Sequence, residues 1–366
     1  MKRIGLFFDR SYVDAHSCFR ELAMQFAGKG FLVDLYHISN PYNPAPVFFN
    51  DKIRVYDFPR SKFEKLEFWY KYFLSEDKKY DVLIGTPVEG GRLAYHLARK
   101  KKIPLVYLAD EILDPVVKYH KIENWDSVKK TDIKINNFAT CTIALGEERY
   151  QYQKKINKLE SNHKYFVIPN SESGPSKRLK SNYFRDIFNI EDRKPIILFI
   201  GTMNWNLAKV IFEQTKKYKD KNYHIVFHGR THGLIGEGDH PFIKISKTPL
   251  PSNLLNYAVS SADLGLVLYD KSIEQEKNNG WTGGKIGTYL KNELPLIAGN
   301  LDEFKKFETQ NVGICWDGIE EIDVAINKAI SQSEHMRQSI PSFYKDNCDY
   351  KSFFEPFYDF ILENCK

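Results

Sequence analysis

The stretch GWTGGKIGTYLKNELPLIAGN, residues Gly280–Asn300, decides the fold. It opens with a turn rich in glycine, whose backbone N–H groups can approach a ligand with no Cβ in the way. The glycines of this turn are Gly280, Gly283 and Gly284. Apolar side chains then recur at helical spacing at Ile286, Tyr289 and Leu290, and residues 295–298 are apolar throughout. The pattern predicts a turn, a short helix and a buried parallel strand.

Lys285 follows the glycine turn, in the expected first turn of the helix. A helix N-terminus offers unpaired N–H donors and about half a positive charge. A lysine beside these donors favours an anion, and we interpret the turn as a diphosphate site. An ordinary αβ unit with a glycine turn is the alternative that these residues leave open.

The segment from Lys285 to Ile297 resembles K-x-x-E-Y-L-x-x-G-x-P-V-I of GT-B glycosyltransferases (family 4-like, group 1 superfamily). The resemblance implies that Lys285 contacts the donor diphosphate. Thr288 occupies the place of a glutamate that often holds the ribose, and Glu293 occupies the glycine position. The E-x7-E pair of many retaining members falls on Gly280 and Thr288, so the retaining and inverting mechanisms both stay open.

The composition is that of a soluble globular protein, with 42% hydrophobic and 27% charged residues. A length of 366 residues favours two domains. The net charge of +6 suits an enzyme that handles phosphates and is too small to indicate nucleic-acid binding. The five cysteines are scattered without a C-x-x-C pair, so we expect reduced thiols.

No signal peptide or membrane span is expected, because the first apolar run, residues 4–8, is short and no run approaches 18 residues. We therefore expect a cytoplasmic protein. An aromatic and basic helix at residues 61–75 leaves a peripheral contact with the inner face of a membrane open. A packed surface helix is the alternative.

Strand and helix patterns alternate twice along the chain, which predicts an α/β fold. With the resemblance, we expect two Rossmann-like doubly wound domains that face each other across a cleft, the GT-B arrangement. The expected parts are an acceptor-binding domain 1–170, a linker 171–194, a donor-binding domain 195–345, and a C-terminal helix within 346–366 that crosses back to the first domain. G-x-G-x-x-G after a strand, Walker A and D-x-D motifs are missing, which disfavours dehydrogenases, P-loop proteins and GT-A transferases.

Loops after strands of the second half supply the candidates for donor binding, because open α/β sheets bind ligands there. Ile200-Gly-Thr resembles the F-x-G turn of the family. Phe227-His-Gly-Arg has a glycine at the place where members of the family have one near the nucleotide base. The candidates are Gly201, Thr202, Lys209, Gly229, Arg230, Tyr269, Gly283, Gly284, Lys285 and Thr288. Glu274 and Glu276 are acid/base candidates in a loop that would face the sugar, with a solvated acidic loop as the alternative.

The first half supplies candidates for the base that activates the acceptor. Asp9 and His16 follow the first strand, and histidine has a pKa near the operating pH. Leu108–Asp114 resembles the strand-then-acid motif beside the acceptor cleft of the superfamily. Asp110 is our first choice as the base, and Glu111 is the second.

We therefore expect a glycosyltransferase that moves a sugar from a nucleotide-sugar donor to a hydroxyl of a glycan or a lipid-linked acceptor. The expected setting is bacterial surface polysaccharide or glycoconjugate synthesis. No cofactor, metal or nucleic acid is expected. The alternatives are a catalytically silent GT-B subunit that binds a sugar nucleotide or a partner transferase, and a sugar-nucleotide epimerase of the same fold.

Overall fold

The computed structural model divides the chain into two compact units, Met1–Asn170 with Tyr350–Lys366, and Ser171–Asp349. The residues that the structure describes are 1–8, 13, 16–39, 46–59, 71–73, 78–87, 89–114, 124–202, 206–216, 221–230, 240–247, 250–269 and 283–364. Of the aromatic and basic segment 61–75, only residues 71–73 are described, and they are helical. No helix in the described ranges is long and apolar enough to cross a membrane.

A seven-stranded parallel sheet forms the centre of the first unit. Its strands are β1 (Arg3–Phe7), β2 (Leu32–Ser39), β3 (Ile53–Pro59), β4 (Val82–Gly85), β5 (Leu105–Ala109), β6 (Cys141–Ala144) and β7 (Tyr165–Val167). They lie in the order β3-β2-β1-β4-β5-β6-β7, and each neighbouring pair is parallel. The strand order reverses between β1 and β4, as in a doubly wound sheet.

Helices cover both faces of this sheet. Among the longer helices of the described residues are α1 (Ser17–Gly28), α2 (Glu89–Lys101), α3 (Trp125–Phe138) and α4 (Glu147–Asn157). Ile4 and Leu6 of β1 join one apolar layer with Phe26 of α1, whereas Phe7 joins the opposite layer with Leu93 of α2. Because both faces of the sheet are buried, its strands are nearly continuous apolar runs, which makes them recognisable in the sequence.

A six-stranded parallel sheet forms the centre of the second unit. Its strands are β8 (Ile196–Thr202), β9 (His224–Arg230), β10 (Ile243–Ser246), β11 (Leu264–Val267), β12 (Leu296–Gly299) and β13 (Gly313–Trp316). Their order is β10-β9-β8-β11-β12-β13, all parallel, with the reversal between β8 and β11. The prediction of two Rossmann-like doubly wound folds is therefore confirmed.

The helices of the second unit also lie on both faces of its sheet. They are α5 (Tyr183–Phe188), α6 (Asn206–Lys216), α7 (Ser252–Val259), α8 (Gly284–Lys291), α9 (Lys305–Thr309) and α10 (Ile322–Asn347). Leu198 and Ile200 of β8 pack in the layer that holds α8, and Phe199 points to the layer that holds α6. The strict alternation along β8 decides which of its side chains face α8.

Residues 171–194, which we expected to form a linker, pack on the second unit. Phe184 of α5 is fully buried in the layer that holds α8. Arg178 donates hydrogen bonds to the carbonyl oxygens of Ser260 and Ala262, at 3.1 and 2.6 Å, and forms an ion pair with Asp263. The segment therefore contacts the unit through a buried apolar side chain as well as through hydrogen bonds and an ion pair.

The last helix, α11 (Tyr350–Asn364), belongs to the first unit. Its residues Phe354 and Phe357 are fully buried, and the ring of Phe354 lies 4.9 Å from that of Phe26 in a T-shaped contact. Lys29 at the end of α1 forms an ion pair of 2.6 Å with Glu355. The chain thus returns to its first core after it has completed the second.

Candidate functional site

The strand order of the second unit places one crevice at the carboxyl ends of β8 and β11. In a doubly wound sheet the connections on either side of the reversal run to opposite faces, which leaves a crevice there. The two strands pair only at Ile197 with Leu264 and at Leu198 with Gly265. Beyond this register, β8 and β11 separate.

The hydroxyl of Tyr289, on α8, occupies the gap where β8 and β11 separate. The Tyr289 hydroxyl accepts a hydrogen bond of 2.8 Å from the N–H of Ile200 and donates one of 2.9 Å to the carbonyl of Leu198. The carbonyl of Leu266 lies 3.3 Å from the same hydroxyl. Tyr289 therefore satisfies backbone groups that the separation of the strands leaves unpaired. A Cβ on Gly265 would lie 2.5 Å from the ring, so a glycine is needed there.

Gly201 and Gly229 lie side by side at the ends of β8 and β9. Their φ angles are 126° and 142°, a region that side chains rarely adopt. A Cβ on Gly229 would lie 2.1 Å from the carbonyl oxygen of Gly201. Neither strand end carries a side chain at this point, so a ligand can approach the backbone of Gly201.

Lys285 lies in the first turn of α8, as the sequence predicts, and is partly exposed. Gly283 is the N-cap of the helix, and as a glycine it has no side chain with which to cap it. The Nζ of Lys285 lies 5.0 Å from the ring centre of Phe199 and 5.0 Å from that of Tyr269. The predicted combination of a helix N-terminus and a lysine is thus present at the crevice.

Tyr269 lies two residues beyond β11 and is 5% exposed. A Cβ on Gly283 would lie 2.2 Å from the Tyr269 hydroxyl, so this side chain fills the space beside the N-cap. The ring also contacts Phe304, with 5.7 Å between centres. Tyr269 therefore forms one wall of the pocket around the Lys285 ammonium.

Two positions where the sequence differs from the family segment have clear roles in the structure. Thr288 is buried, and its hydroxyl donates a hydrogen bond of 2.9 Å to the carbonyl of Gly284 in its own helix. Glu293 stands at the glycine position and has a φ of 56°, in the left-handed region that glycine favours. The turn after α8 therefore keeps the glycine conformation although a glutamate occupies it.

The other candidates for donor binding lie on neighbouring elements. Thr202 and Arg230 are the last residues of β8 and β9, and their side chains lie outside the described part. Lys209 is half-buried in the first turn of α6, and Gly284 is the first residue of α8. Gly280, Glu274 and Glu276 fall outside the described residues. The structure thus brings together Gly201, Gly229, Tyr269, Gly283 and Lys285.

In the first unit, Asp110 directly follows β5 and is 5% exposed. Its carbonyl oxygen accepts a hydrogen bond from the guanidinium of Arg149, which is itself buried. Burial raises the pKa of the Cys18 thiol, and the nearby Asp110 side chain adds to this effect. Asp110 therefore lies inside a buried polar cluster near the start of α1.

The remaining candidates of the first unit differ in exposure. Glu111, the next residue along the chain, is only partly buried. His16 precedes α1 as its N-cap, and its ring stacks on Phe19 with 5.1 Å between centres. Asp9 lies outside the described residues. Glu111 is thus more accessible than Asp110, our first choice from the sequence.

Sequence reasoning missed the roles of Phe199, Tyr289 and Arg149. Tyr289 is recognisable in the sequence only as an apolar position of α8, because its hydroxyl acts on a strand of distant sequence. Phe199 belongs to the turn that resembles F-x-G, which was a usable signal. Arg149 follows two glutamates on a polar helix, and nothing in the sequence distinguishes it from an exposed arginine.

The described residues contain no group of three or more His, Cys, Asp or Glu side chains that could hold a metal ion. Lys285 is the charged side chain that the structure places at the start of α8. The crevice of the second unit is therefore suited to an anion held by backbone N–H groups and an ammonium.

No protein-family model matches the sequence, and no curated protein matches it. Solved structures match over nearly the whole chain. Sucrose-phosphate synthase from Thermosynechococcus elongatus has a TM-score of 0.74 at 13% identity, covering 99% of each chain. Anabaena HepE in complex with UDP and glucose has a TM-score of 0.68 at 12% identity, covering 99% of this chain and 100% of that one.

WaaG, a glycosyltransferase involved in lipopolysaccharide biosynthesis, has a TM-score of 0.64 at 14% identity and covers 99% of each chain. These similarities define the class of fold: the chain has the two-unit GT-B fold of glycosyltransferases. The resemblance seen in the segment from Lys285 to Ile297 is thereby confirmed at the level of the fold. Sequence identities of 12–14% show the fold and nothing more, so any activity has to be argued from the residues of the site.

Proposed function

We propose that the chain is a glycosyltransferase that uses a nucleotide-sugar donor and no metal ion. The second unit would hold the donor, and the first unit would hold an acceptor hydroxyl. During transfer the nucleoside diphosphate leaves with added negative charge, and stabilising this charge is the main electrostatic task. Lys285 and the N–H groups at the start of α8 would supply that stabilisation.

The observation that carries the proposal is the position of Lys285 in the first turn of α8. A lysine at this end of a helix opposes the helix dipole, which favours acidic residues there. The cost of placing it there is offset when an anion binds to both the ammonium and the N–H groups at the start of the helix. Gly201 leaves the backbone at the end of β8 open to that anion.

UDP is the first nucleotide to test, because HepE was crystallised with UDP and with UDP-glucose. We propose a glycan or lipid-linked acceptor in the synthesis of a bacterial surface polysaccharide or glycoconjugate, a setting close to that of WaaG. The proposed acceptor bases are Asp110, Glu111, Asp9 and His16. Replacing each acid by its amide, with transfer and donor hydrolysis measured separately, distinguishes them.

The test is a panel of UDP, GDP, CDP, ADP, TDP and CMP, measured by thermal shift on the wild type and on Lys285→Ala. A nucleotide at a hundred times its Kd adds about 2.7 kcal/mol, which raises Tm by at least about 2 °C. We expect one nucleoside diphosphate to stabilise the wild type. Loss of the ammonium should weaken its binding by about tenfold to a hundredfold, as for a hydrogen bond to a charged group.

Lys328→Ala is the matched control, because Lys328 is exposed on α10 of the same unit. It should bind the nucleotide like the wild type. A wild type that no nucleotide stabilises would refute the donor site. Equal nucleotide binding by the wild type and Lys285→Ala would show that Lys285 is not part of the donor site. With the donor identified, release of the nucleotide that depends on an added acceptor is the evidence for transfer.

A further inference from the structure

The ammonium of Lys285 lies between two aromatic rings from different strands. Its Nζ is 5.0 Å from the centre of Phe199, on β8, and 5.0 Å from that of Tyr269, beyond β11. Phe199 is fully buried and Tyr269 is 5% exposed. Both rings are thus held by the core, whereas Lys285 itself is only partly buried.

A lysine side chain is a flexible stem that ends in a point charge, so its position depends on its surroundings. The faces of aromatic rings attract a cation within about 6 Å, and the attraction grows as water is excluded. Two rings on opposite strands of the crevice therefore define a place for the ammonium. The helix dipole of α8 disfavours a positive charge at this end of the helix, so the attraction of the two rings is needed to hold the ammonium there.

The position of the Tyr269 ring is coupled to the N-cap of α8. A Cβ on Gly283 would lie 2.2 Å from the Tyr269 hydroxyl oxygen and 3.3 Å from its Cζ. Gly283 has a φ of −58° and a ψ of 139°, which alanine adopts without strain. The obstacle to a side chain at position 283 is therefore the hydroxyl of Tyr269.

We propose that Phe199 and Tyr269 are positioning residues that hold the Lys285 ammonium in the place where it meets the donor diphosphate. Tyr269 acts through Lys285 and does not bind the nucleoside. This inference rests on the proposed function, because it assigns how the same diphosphate site is built.

The first test is a rescue experiment with UDP as the ligand and uridine, which lacks phosphates, as its control. Gly283→Ala pushes the Tyr269 ring away from Lys285 and should weaken UDP binding about fivefold to tenfold. Tyr269→Phe keeps the ring and should stay within about twofold of the wild type. The double variant removes the collision and should recover most of the lost affinity. Uridine binding should be the same in all four proteins.

Other results would overturn the inference. If the double variant binds UDP as weakly as Gly283→Ala, the new Cβ obstructs the ligand and the ring has no positioning role. If Tyr269→Phe alone weakens binding of UDP or uridine, the hydroxyl contacts the donor directly. Unchanged UDP binding by Gly283→Ala would also contradict the inference that the Tyr269 ring positions Lys285. The Tm of each protein without ligand shows that the comparison is between folded proteins.

The second test is a double-mutant cycle between Phe199→Leu and Lys285→Ala. Phe199→Leu should weaken UDP binding about threefold to tenfold in the wild type and have no effect once Lys285 is alanine. Equal losses in both backgrounds would show that Phe199 acts independently of the lysine.

The same data separate the two proposals. A wild type that binds no nucleoside diphosphate refutes the proposed function and the inference with it. A wild type that binds UDP through Lys285 but shows neither the rescue nor the coupling refutes only the inference.

Discussion

His228, on β9, is a buried histidine beside the crevice whose neighbours favour the neutral imidazole. Its Nδ1 lies 2.8 Å from the hydroxyl of Ser246, and the ring of Phe184 meets its edge with 5.7 Å between centres. Burial lowers the pKa of His228 to about 4. In the unfolded chain the ordinary pKa is about 6.5. At a pH between these two values, His228 is therefore mostly neutral in the folded protein and mostly protonated in the unfolded chain.

This difference predicts a loss of stability in mild acid. The pKa of His228 is lower in the folded protein than in the unfolded chain. The neutral imidazole therefore stabilises the folded state fully above about pH 6.5, and this stabilisation is lost as the pH falls towards 4. Between pH 7.5 and 5.0 the contribution amounts to about 2 kcal/mol. Urea unfolding at the two pH values, on wild type and His228→Gln, measures it. The wild type should lose about 2 kcal/mol more than the variant, and equal losses would show that His228 does not titrate on unfolding.

At the scale of single residues, the sequence predicted the positions of Lys285 and the glycines better than the contacts that surround them. Lys285 and the glycines could be predicted because a known segment and a helix N-terminus both point to them. The conformation of Glu293 was hidden, since only the backbone shows that a glutamate has adopted the left-handed form. Tyr289 was missed because its partners are distant in sequence. Phe199 stands in the turn that resembles F-x-G, which marks its position but not its contact with Lys285.

At the scale of elements, α8 connects two strands, β8 and β11, through one side chain. The Tyr289 hydroxyl bonds to backbone groups of β8 and lies within 3.3 Å of a carbonyl of β11. Since the register of β8 with β11 ends at Leu198, the N–H of Ile200 has no partner on β11. The separation of β8 and β11 that forms the crevice is therefore stabilised by the hydroxyl of Tyr289.

Tyr289→Phe should destabilise the protein by about 1–3 kcal/mol, because a buried N–H and a buried carbonyl lose their partner while the packing is kept. Urea unfolding at pH 7.5 measures the change. Tyr257→Phe, on the exposed side of α7, is the control and should stay within about 0.5 kcal/mol of the wild type. A change of similar size in both variants would mean that the Tyr289 hydroxyl does not stabilise the separated strands.

Most strands could be predicted because a parallel sheet buried on both faces produces apolar runs. The apolar run 264–269 predicts a strand up to Tyr269, but β11 ends at Val267, where its pairing with β12 ends. The sequence pattern predicts a helix at residues 319–332, whereas α10 extends to Asn347 with Pro341 inside it. A proline inside a helix costs about 3 kcal/mol. Burial of Ile340, Phe343 and Tyr344 offsets it at about 1.5–3 kcal/mol each.

At the scale of the whole molecule, the chain builds one core, then a second, and ends in the first. The pattern of residues 350–364 predicts an amphipathic helix, but periodicity does not say which core receives it. The expectation that it returns to the first domain came from the resemblance to GT-B proteins. The packing of Phe354 and Phe357 against Phe26 and Phe166 provides the physical reason. Aromatic pairs of this kind stabilise a core beyond the area that they bury.

This arrangement predicts that damage at the C-terminus weakens the N-terminal core. Phe357→Ala should destabilise the first unit by about 3–5 kcal/mol, because a fully buried ring leaves a cavity among Phe26, Phe166 and Phe354. Hydrogen exchange should show lost protection in β1 and β6, while β8 and β9 keep theirs. Leu362→Ala, at a 38% exposed position of α11, should change neither set. Equal loss of protection in both sheets would mean that the two units unfold together, so that α11 stabilises the whole chain and not its first core alone.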